Sequence, residues 1–145
     1  MTVFVTNKTR FKISPHLIEK AFKNTLKITK KRIRKNLSVV IVNNKEIKKI
    51  NKLYRQKERA TDVLTFSFLG RDKHFQVMED VIGEIFISAE MAKKQAQEAS
   101  SSFKKEIILL FVHGFLHILG YNHKTRKEAF KMRKLEEKIL SEVID

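Results

Sequence analysis

The sequence predicts one α+β domain, in which a mixed sheet of about four strands is surrounded by about five helices. A length of 145 residues fits one domain with one hydrophobic core. The early strand patterns alternate with helical patterns, whereas the third and fourth strand patterns follow each other without a helix between them. Neither a repeat nor a proline-rich or glycine-rich linker divides the chain. The predicted domain therefore covers residues 1–145.

The first half of the chain contains two strand patterns and two helix patterns. Residues 3–7 alternate apolar and polar side chains, which is typical of a strand. The Ser14–Pro15 pair predicts a helix start, because serine caps free amides and proline suits the first turn. Residues 37–42 are β-branched and nearly all apolar, which predicts a strand covered on both faces. Asn43 with Glu46 resembles a capping box that opens the second helix.

The middle of the chain predicts two neighbouring strands and a short helix. The strand patterns are residues 63–68 and 82–87. The segment between them, residues 69–81, is polar and mixed, so we expect a mobile loop there. Ser88 can then cap a helix that runs to about Ala99.

Two longer helices are predicted to follow. Residues 103–119 are strongly apolar, and apolar side chains from Ile107 to Leu119 surround the histidines, so this helix is expected to be central and largely buried. Thr125 with Glu128 forms a second capping-box pattern, which predicts a last amphipathic helix.

Three of the five histidines lie within the central helix and the turn after it, at His113, His117 and His123. The first two are four residues apart and so share one helix face. Gly120 stands where the helix would end, and a glycine can reverse the chain there and bring the third imidazole back over the other two. Three neutral imidazoles without a fourth protein ligand are typical of a catalytic zinc site, although nickel, copper or iron also suit them. The alternative is three hydrogen-bonded core histidines.

The same spacing is that of the zinc ligands in metzincin proteases. Those enzymes carry a glutamate directly after the first histidine as the general base, and Gly114 stands at that position here. A protease of that mechanism would therefore lack its base, whereas metal chemistry on a phosphoryl oxygen stays open.

Three charged residues elsewhere are candidates for the same site. Arg55 lies at a basic turn, where arginine can grip a phosphate or stabilise phosphoryl charge, although the residue pattern by itself favours an ordinary surface arginine. Glu84 lies between apolar residues of the fourth strand pattern. It could act as a base, support a metal ligand as its hydrogen-bond partner, or face solvent. Asp62, before the third strand, is a further candidate for the general base.

The chain is strongly basic, with a formal net charge of +15. Such a charge favours a polyanionic partner, nucleic acid first and an anionic membrane surface second, unless it only reflects codon bias. The densest run is residues 27–35, and a second basic zone covers residues 45–59. There is no cysteine and no long apolar stretch at the N-terminus. We therefore expect no disulfide, signal peptide or membrane span, and a cytoplasmic protein.

The histidine run resembles the signature of the YbeY family of bacterial metal-dependent endoribonucleases. That signature is similar to His-Gly-x-Leu-His-Leu-x-Gly-Tyr-Asp-His, and residues 113–123 match it at nearly every position. The family's Gly-Asp-Ile/Val strand is matched by residues 83–85. An upstream family element is matched by Asn51, Tyr54, Arg55, Thr61, Asp62, Val63, Leu64 and Phe66.

The resemblance implies that the three histidines bind one zinc ion and that Arg55 is a catalytic or RNA-phosphate residue. It also implies cleavage of single-stranded RNA, maturation of the 3′ end of small-subunit ribosomal RNA, and a part in ribosome quality control with ribosomal partners. The alternatives are a zinc-stabilised RNA-binding or ribosome-binding assembly factor without catalysis, and a metalloprotease. Asn122 and Glu84 both stand where the family carries aspartate.

Overall fold

The computed structural model describes residues 2–68 and 80–144, which form four strands and five helices. The α+β prediction is confirmed, and where the sequence predicts a bound of a strand or helix, the observed bound lies within one residue of it. The loop predicted over residues 69–81 lies outside the described residues except for its last two, and Val81 already belongs to a strand. In chain order the elements are β1 (Val3–Asn7), α1 (Pro15–Thr29), β2 (Asn36–Val42), α2 (Asn44–Arg55), β3 (Val63–Ser67), β4 (Val81–Ser88), α3 (Ala89–Glu98), α4 (Phe103–Ile118) and α5 (Arg126–Val143).

The four strands form one mixed sheet in the order β1-β2-β4-β3. Neighbours β1, β2 and β4 are parallel, whereas β3 runs antiparallel to β4. This follows from the connections, because a parallel pair needs a long crossover and an antiparallel pair does not. The register places Ile85 of β4 between Val39 of β2 and Thr65 of β3. Strand β3 is the edge strand beside β4.

Helix α4 lies across one face of the sheet and forms the centre of the main core, as its sequence predicts. It contacts α1, α3, α5, β3 and β4. Its fully buried side chains include Phe111, Val112, Phe115 and Leu116. Helix α2 covers the opposite face over a smaller apolar cluster, made of Val40, Val42, Ile47, Leu64 and Phe66.

Gly114 allows α4 to lie close to the sheet. A Cβ atom at this position would be 3.0 Å from Thr65 Cγ2, 3.2 Å from Ile85 Cγ2 and 3.3 Å from Val63 Cγ2. These distances are shorter than ordinary van der Waals contacts. The glycine that stands at the place of the protease base is therefore also a packing residue.

The helix starts agree with the predictions except in one detail. Ser14, Ser88 and Thr125 each accept a backbone N–H with their side chains, and Thr125 and Glu128 form the complete capping box. The capping box predicted at Asn43 is wrong, because that side chain makes no cap hydrogen bond. Its expected partner Glu46 pairs with Lys8 Nζ at 3.1 Å instead.

Candidate metal centre

His113 and His117 lie one turn apart near the end of α4 and turn their rings towards each other. Their Nε2 atoms are 3.2 Å apart, and their ring centroids are 4.7 Å apart. Both side chains are half-buried, at the border between the core and the surface. The helix spacing of four residues thus produces the shared face that the sequence predicts.

The turn after α4 brings the third histidine to the same point. Gly120 has a φ of 103°, in the region that favours glycine. Its N–H donates to the His117 carbonyl at 3.0 Å, and the Tyr121 N–H donates to the Leu116 carbonyl at 3.0 Å. This pair of bonds is the Schellman motif. The ring of His123 consequently lies 5.0 Å from that of His117.

The outer nitrogen of each α4 histidine has its own partner. His117 Nδ1 lies 3.1 Å from the Tyr121 carbonyl oxygen, and His113 Nδ1 lies 3.0 Å from Glu136 Oε2. Carbonyl and carboxylate oxygens only accept hydrogen bonds, so each Nδ1 carries a proton. In the neutral rings, the lone pair is therefore on Nε2.

The paired Nε2 atoms fit a bound cation. Two lone pairs that face each other at 3.2 Å repel, so a proton or a metal ion has to lie between them. Two nitrogen ligands of a tetrahedral zinc ion stand about 3.3 Å apart, given Zn–N bonds of about 2.0–2.1 Å. One nitrogen of each of the three histidines lies within 4.8 Å of the other two. Among the described residues, no carboxylate or thiolate joins this group, and His123 is exposed to solvent.

The two α4 histidines differ in their pKa values because their surroundings differ. The hydrogen bond to Glu136 raises the pKa of His113, against the opposing effect of burial. Burial lowers the pKa of His117, and the neighbouring His113 and His123 lower it further. His117 is therefore ready as a neutral ligand at neutral pH, and His113 is where a proton competes with a metal ion.

A cleft of about 410 Å³ opens beside the two α4 histidines. His113 and His117 contribute to its lining, and the end of α2 and the turn after it contribute three cationic side chains, which are Arg55, Lys57 and Arg59. The structure thus brings the predicted Arg55 and two of the three histidines to one cleft.

Arg55 is held at the edge strand beside this cleft. Its Nη2 donates to the Thr65 carbonyl at 2.7 Å, and its guanidinium carbon lies 5.4 Å from the centre of the Phe66 ring. A guanidinium has five N–H donors, so this bond leaves several for a ligand. Arg55 can therefore bind a phosphate while it keeps its hydrogen bond to the Thr65 carbonyl.

Asp62 lines the same cleft, but its carboxylate oxygens already have partners. Oδ1 accepts the Val63 N–H at 2.8 Å, and Oδ2 accepts from Gln95 Nε2 at 3.3 Å.

Glu106, which the sequence reading did not single out, is buried two turns before His113 on α4. Burial raises the pKa of Glu106, and the charge of Asp62 raises it further.

Glu84 does not reach the histidines, which corrects its place as a candidate base. Ile85, the next residue of β4, faces α4 and Gly114. Successive side chains of a strand point to opposite faces, so Glu84 points to the face of α2. There it accepts a hydrogen bond from Ser38 Oγ at 2.8 Å.

Glu136 is the site residue that the sequence reading missed. It follows Met132 by one turn and precedes Ile139 by three residues, and both of these side chains are buried. A carboxylate thus stands on the apolar face of an amphipathic helix. That break in the pattern is the signal that points to a polar partner inside.

Comparison with known proteins gives one consistent family. The family model described as endoribonuclease YbeY matches residues 4–144. A protein named endoribonuclease YbeY from Bacillus licheniformis is 45% identical over 111 residues, which cover 72% of this chain and 70% of that protein. The protein of the same name from Onion yellows phytoplasma is 41% identical over 146 residues, which cover 99% and 94%.

A solved structure matches as well. The solution structure of TM1509 from Thermotoga maritima superposes with a TM-score of 0.65 at 30% sequence identity. The match covers 97% of this chain and 88% of that one. The mixed sheet and its surrounding helices are therefore those of a known fold.

Proposed function

This chain belongs to the endoribonuclease YbeY family, and from that premise we propose that it is a metal-dependent endoribonuclease that processes ribosomal RNA. The observation that carries the proposal is the position of the histidine group. Two Nε2 atoms at 3.2 Å, a spacing that suits two nitrogen ligands of one metal ion, lie beside a cleft with three cationic side chains. A metal ion and a phosphodiester would meet there.

His113, His117 and His123 would hold one metal ion, for which we propose zinc. Zinc accepts three imidazoles and leaves one position open. When bound, such an ion supplies Lewis-acid chemistry, because it polarises a phosphoryl oxygen and lowers the pKa of water. The Tyr121 carbonyl keeps the His117 ring oriented for this role.

Arg55 would bind and stabilise the reacting phosphate from the other side of the cleft. Its bond to Thr65 fixes the guanidinium, so its remaining donors are oriented before the substrate arrives. Lys57 and Arg59 would hold neighbouring phosphates of the RNA backbone. For the general base, Asp62 remains a candidate by position, although its oxygens have protein partners.

The finer parts of the proposal concern the substrate and its setting. We propose single-stranded RNA as the substrate, because a groove lined by cationic side chains, as this cleft is, can follow the backbone of an extended strand. We place the activity in maturation of the 3′ end of small-subunit ribosomal RNA and in ribosome quality control, with ribosomal proteins as partners. We also propose that residues 1–145 form a single domain and that the protein acts in the cytoplasm. Among the described residues, no helix is long and apolar enough to cross a membrane.

The packing of Gly114 argues against the metalloprotease alternative. A glutamate there would need its Cβ at 3.0 Å from Thr65 Cγ2. The general base of a metzincin is absent because residue 114 is glycine, and the close contact between α4 and the sheet disfavours a larger side chain there.

The proposal is tested by metal content and by cleavage of a single-stranded RNA. His117→Ala is expected to lose bound metal and cleavage together. Arg55→Ala is expected to keep the metal and to lose about 10²-fold or more in cleavage rate, as for other donors that stabilise a developing oxyanion. His16→Ala is the matched control, because His16 is an exposed histidine of α1 outside the cluster.

Two results would contradict the proposal. Full cleavage by chelator-treated protein, or by His117→Ala, would show that the histidine group is not needed. Metal and RNA binding without any cleavage that co-purifies with the protein would instead identify an assembly factor without catalysis.

A further inference from the structure

We propose that Glu136 of α5 is a positioning residue of the metal centre, which orients His113 and strengthens its bond to the metal ion. This inference rests on the proposed function, because it assumes that His113 is a metal ligand. It adds a residue that lies outside the histidine run and on a different helix.

The burial of Glu136 shows that its partner matters. Its side chain is 14% exposed, whereas that of Glu137, the next residue, is 63% exposed. A buried carboxylate loses hydration, and that cost is offset only by a strong hydrogen-bond partner. Among the described residues, this carboxylate contacts His113 Nδ1 at 3.0 Å.

The contact fixes both the tautomer and the direction of the ring. The carboxylate accepts a hydrogen bond from the Nδ1–H of His113, so the lone pair lies on Nε2, which points towards His117. A negative partner also makes the imidazole a better electron donor to a metal ion. His117 has only a neutral carbonyl as its partner. We therefore infer that the charge of Glu136 makes His113 the stronger ligand.

The same contact joins two helices to the metal centre. His113 belongs to α4 and Glu136 to α5, and the turn that carries His123 connects these helices. A metal ion that binds His113 and His123 would therefore be held by α4 and the connecting turn. Helix α5 would contribute through the hydrogen bond between Glu136 and His113.

The experiment measures zinc affinity by competition with a chromogenic chelator. Glu136→Ala is expected to bind zinc about 10–100-fold more weakly than the wild type, which is typical when the partner of a ligating histidine is removed. Glu136→Gln keeps an acceptor oxygen and nearly the same volume but loses the charge, so a smaller loss is expected. Glu137→Gln is the matched control, because this exposed neighbour pairs only weakly with Lys134 at 4.0 Å.

Ring ¹⁵N NMR of the metal-free protein separates positioning from a merely structural role. In Glu136→Ala, His113 is expected to lose its preference for the Nδ1–H tautomer, while His117 keeps its Nδ1–H on the Tyr121 carbonyl. If Glu136→Ala does not fold, Glu136→Met provides the same comparison, because it removes the acceptor while it keeps a long side chain that packs among apolar neighbours.

The outcomes distinguish this inference from the proposed function. Unchanged zinc affinity in folded Glu136→Ala, or weaker affinity without a change in the His113 tautomer, would overturn the role of Glu136. A wild-type protein that binds no zinc or other divalent metal would overturn the proposed function itself.

Discussion

At the scale of single residues, Gly114 shows how one position serves two constraints. Its missing side chain removes the base of a protease, and it also lets α4 approach β3 and β4. A sequence reading identifies the first effect from the motif. The second depends on Thr65, Ile85 and Val63, which lie about 30 to 50 residues earlier in the chain, and no local pattern reports it.

The sign of the effect of Gly114→Ala on stability tests this packing. Helix propensity alone would stabilise the protein by about 0.5–1 kcal/mol. Overpacking against three β-branched side chains is expected to cost about 1–3 kcal/mol. We expect a net loss of about 1 kcal/mol, measured as a lower urea midpoint at an unchanged slope. A variant that is more stable than the wild type would show that α4 can move away from the sheet.

At the scale of elements, local sequence signals placed nearly every boundary. Capping serines and threonines, strand alternation and glycine at the end of α4 all act within a few residues. The capping box at Asn43 failed for a long-range reason, since Lys8 lies 38 residues before Glu46 and attracts its carboxylate. Local patterns thus predict where helices begin, but a distant residue can supply the acceptor, since the Asn44 N–H at the start of α2 donates to Glu90 Oε1 at 2.7 Å.

A pair of cap substitutions tests this distinction. Thr125→Ala is expected to destabilise the protein by about 1 kcal/mol, because Thr125 accepts the Glu128 N–H at 3.1 Å and completes a capping box. Asn43→Ala is expected to change the free energy of unfolding by less than about 0.5 kcal/mol, because its side chain caps no backbone group. Chemical unfolding measures both. Equal losses would mean that Asn43 caps α2 in solution.

At the scale of the whole molecule, the sequence predicted the metal ligands more readily than their surroundings. The three histidines are close in sequence, and a helix followed by a glycine turn is enough to bring them together. Arg55 lies at the cleft because α2 packs beside the edge strand β3, where its guanidinium bonds to the Thr65 carbonyl. The face of Glu84 depends on the register of β4, and the contact of Glu136 depends on the packing of α5. Such details are tertiary, so residue patterns indicate them weakly.

The distribution of charge over the molecule predicts a second contact with RNA. Four cationic side chains of the loop between α1 and β2 line a pocket of about 390 Å³, together with Ile33, Ile82 and Leu119 of the described chain. These cations, which we call the basic loop, are Lys31, Arg32, Arg34 and Lys35. None of them forms an ion pair with another described residue. Unpaired cations that are held together attract the phosphates of a polyanion.

Neutralising part of the basic loop is therefore expected to lower the affinity for RNA. It is also expected to make that affinity less sensitive to salt concentration. If Lys31 and Lys35 each neutralise one phosphate, Lys31→Gln with Lys35→Gln should reduce the slope of log affinity against log salt by about 1.4, at about 0.7 per phosphate of a single strand. The measurement is fluorescence anisotropy of a labelled single-stranded RNA over a range of salt concentrations. Metal content should stay unchanged, because these residues lie outside the histidine group.

The control carries the same change in net charge on another surface. Lys20→Gln with Lys23→Gln alters two exposed lysines of α1, of which Lys23 already pairs with Glu19 at 3.2 Å. A local RNA contact requires a larger loss of slope for the basic loop than for this pair. Equal losses would mean that the charge of +15 acts as a diffuse field. In that case the cleft beside the histidines would be the place where the RNA backbone is held.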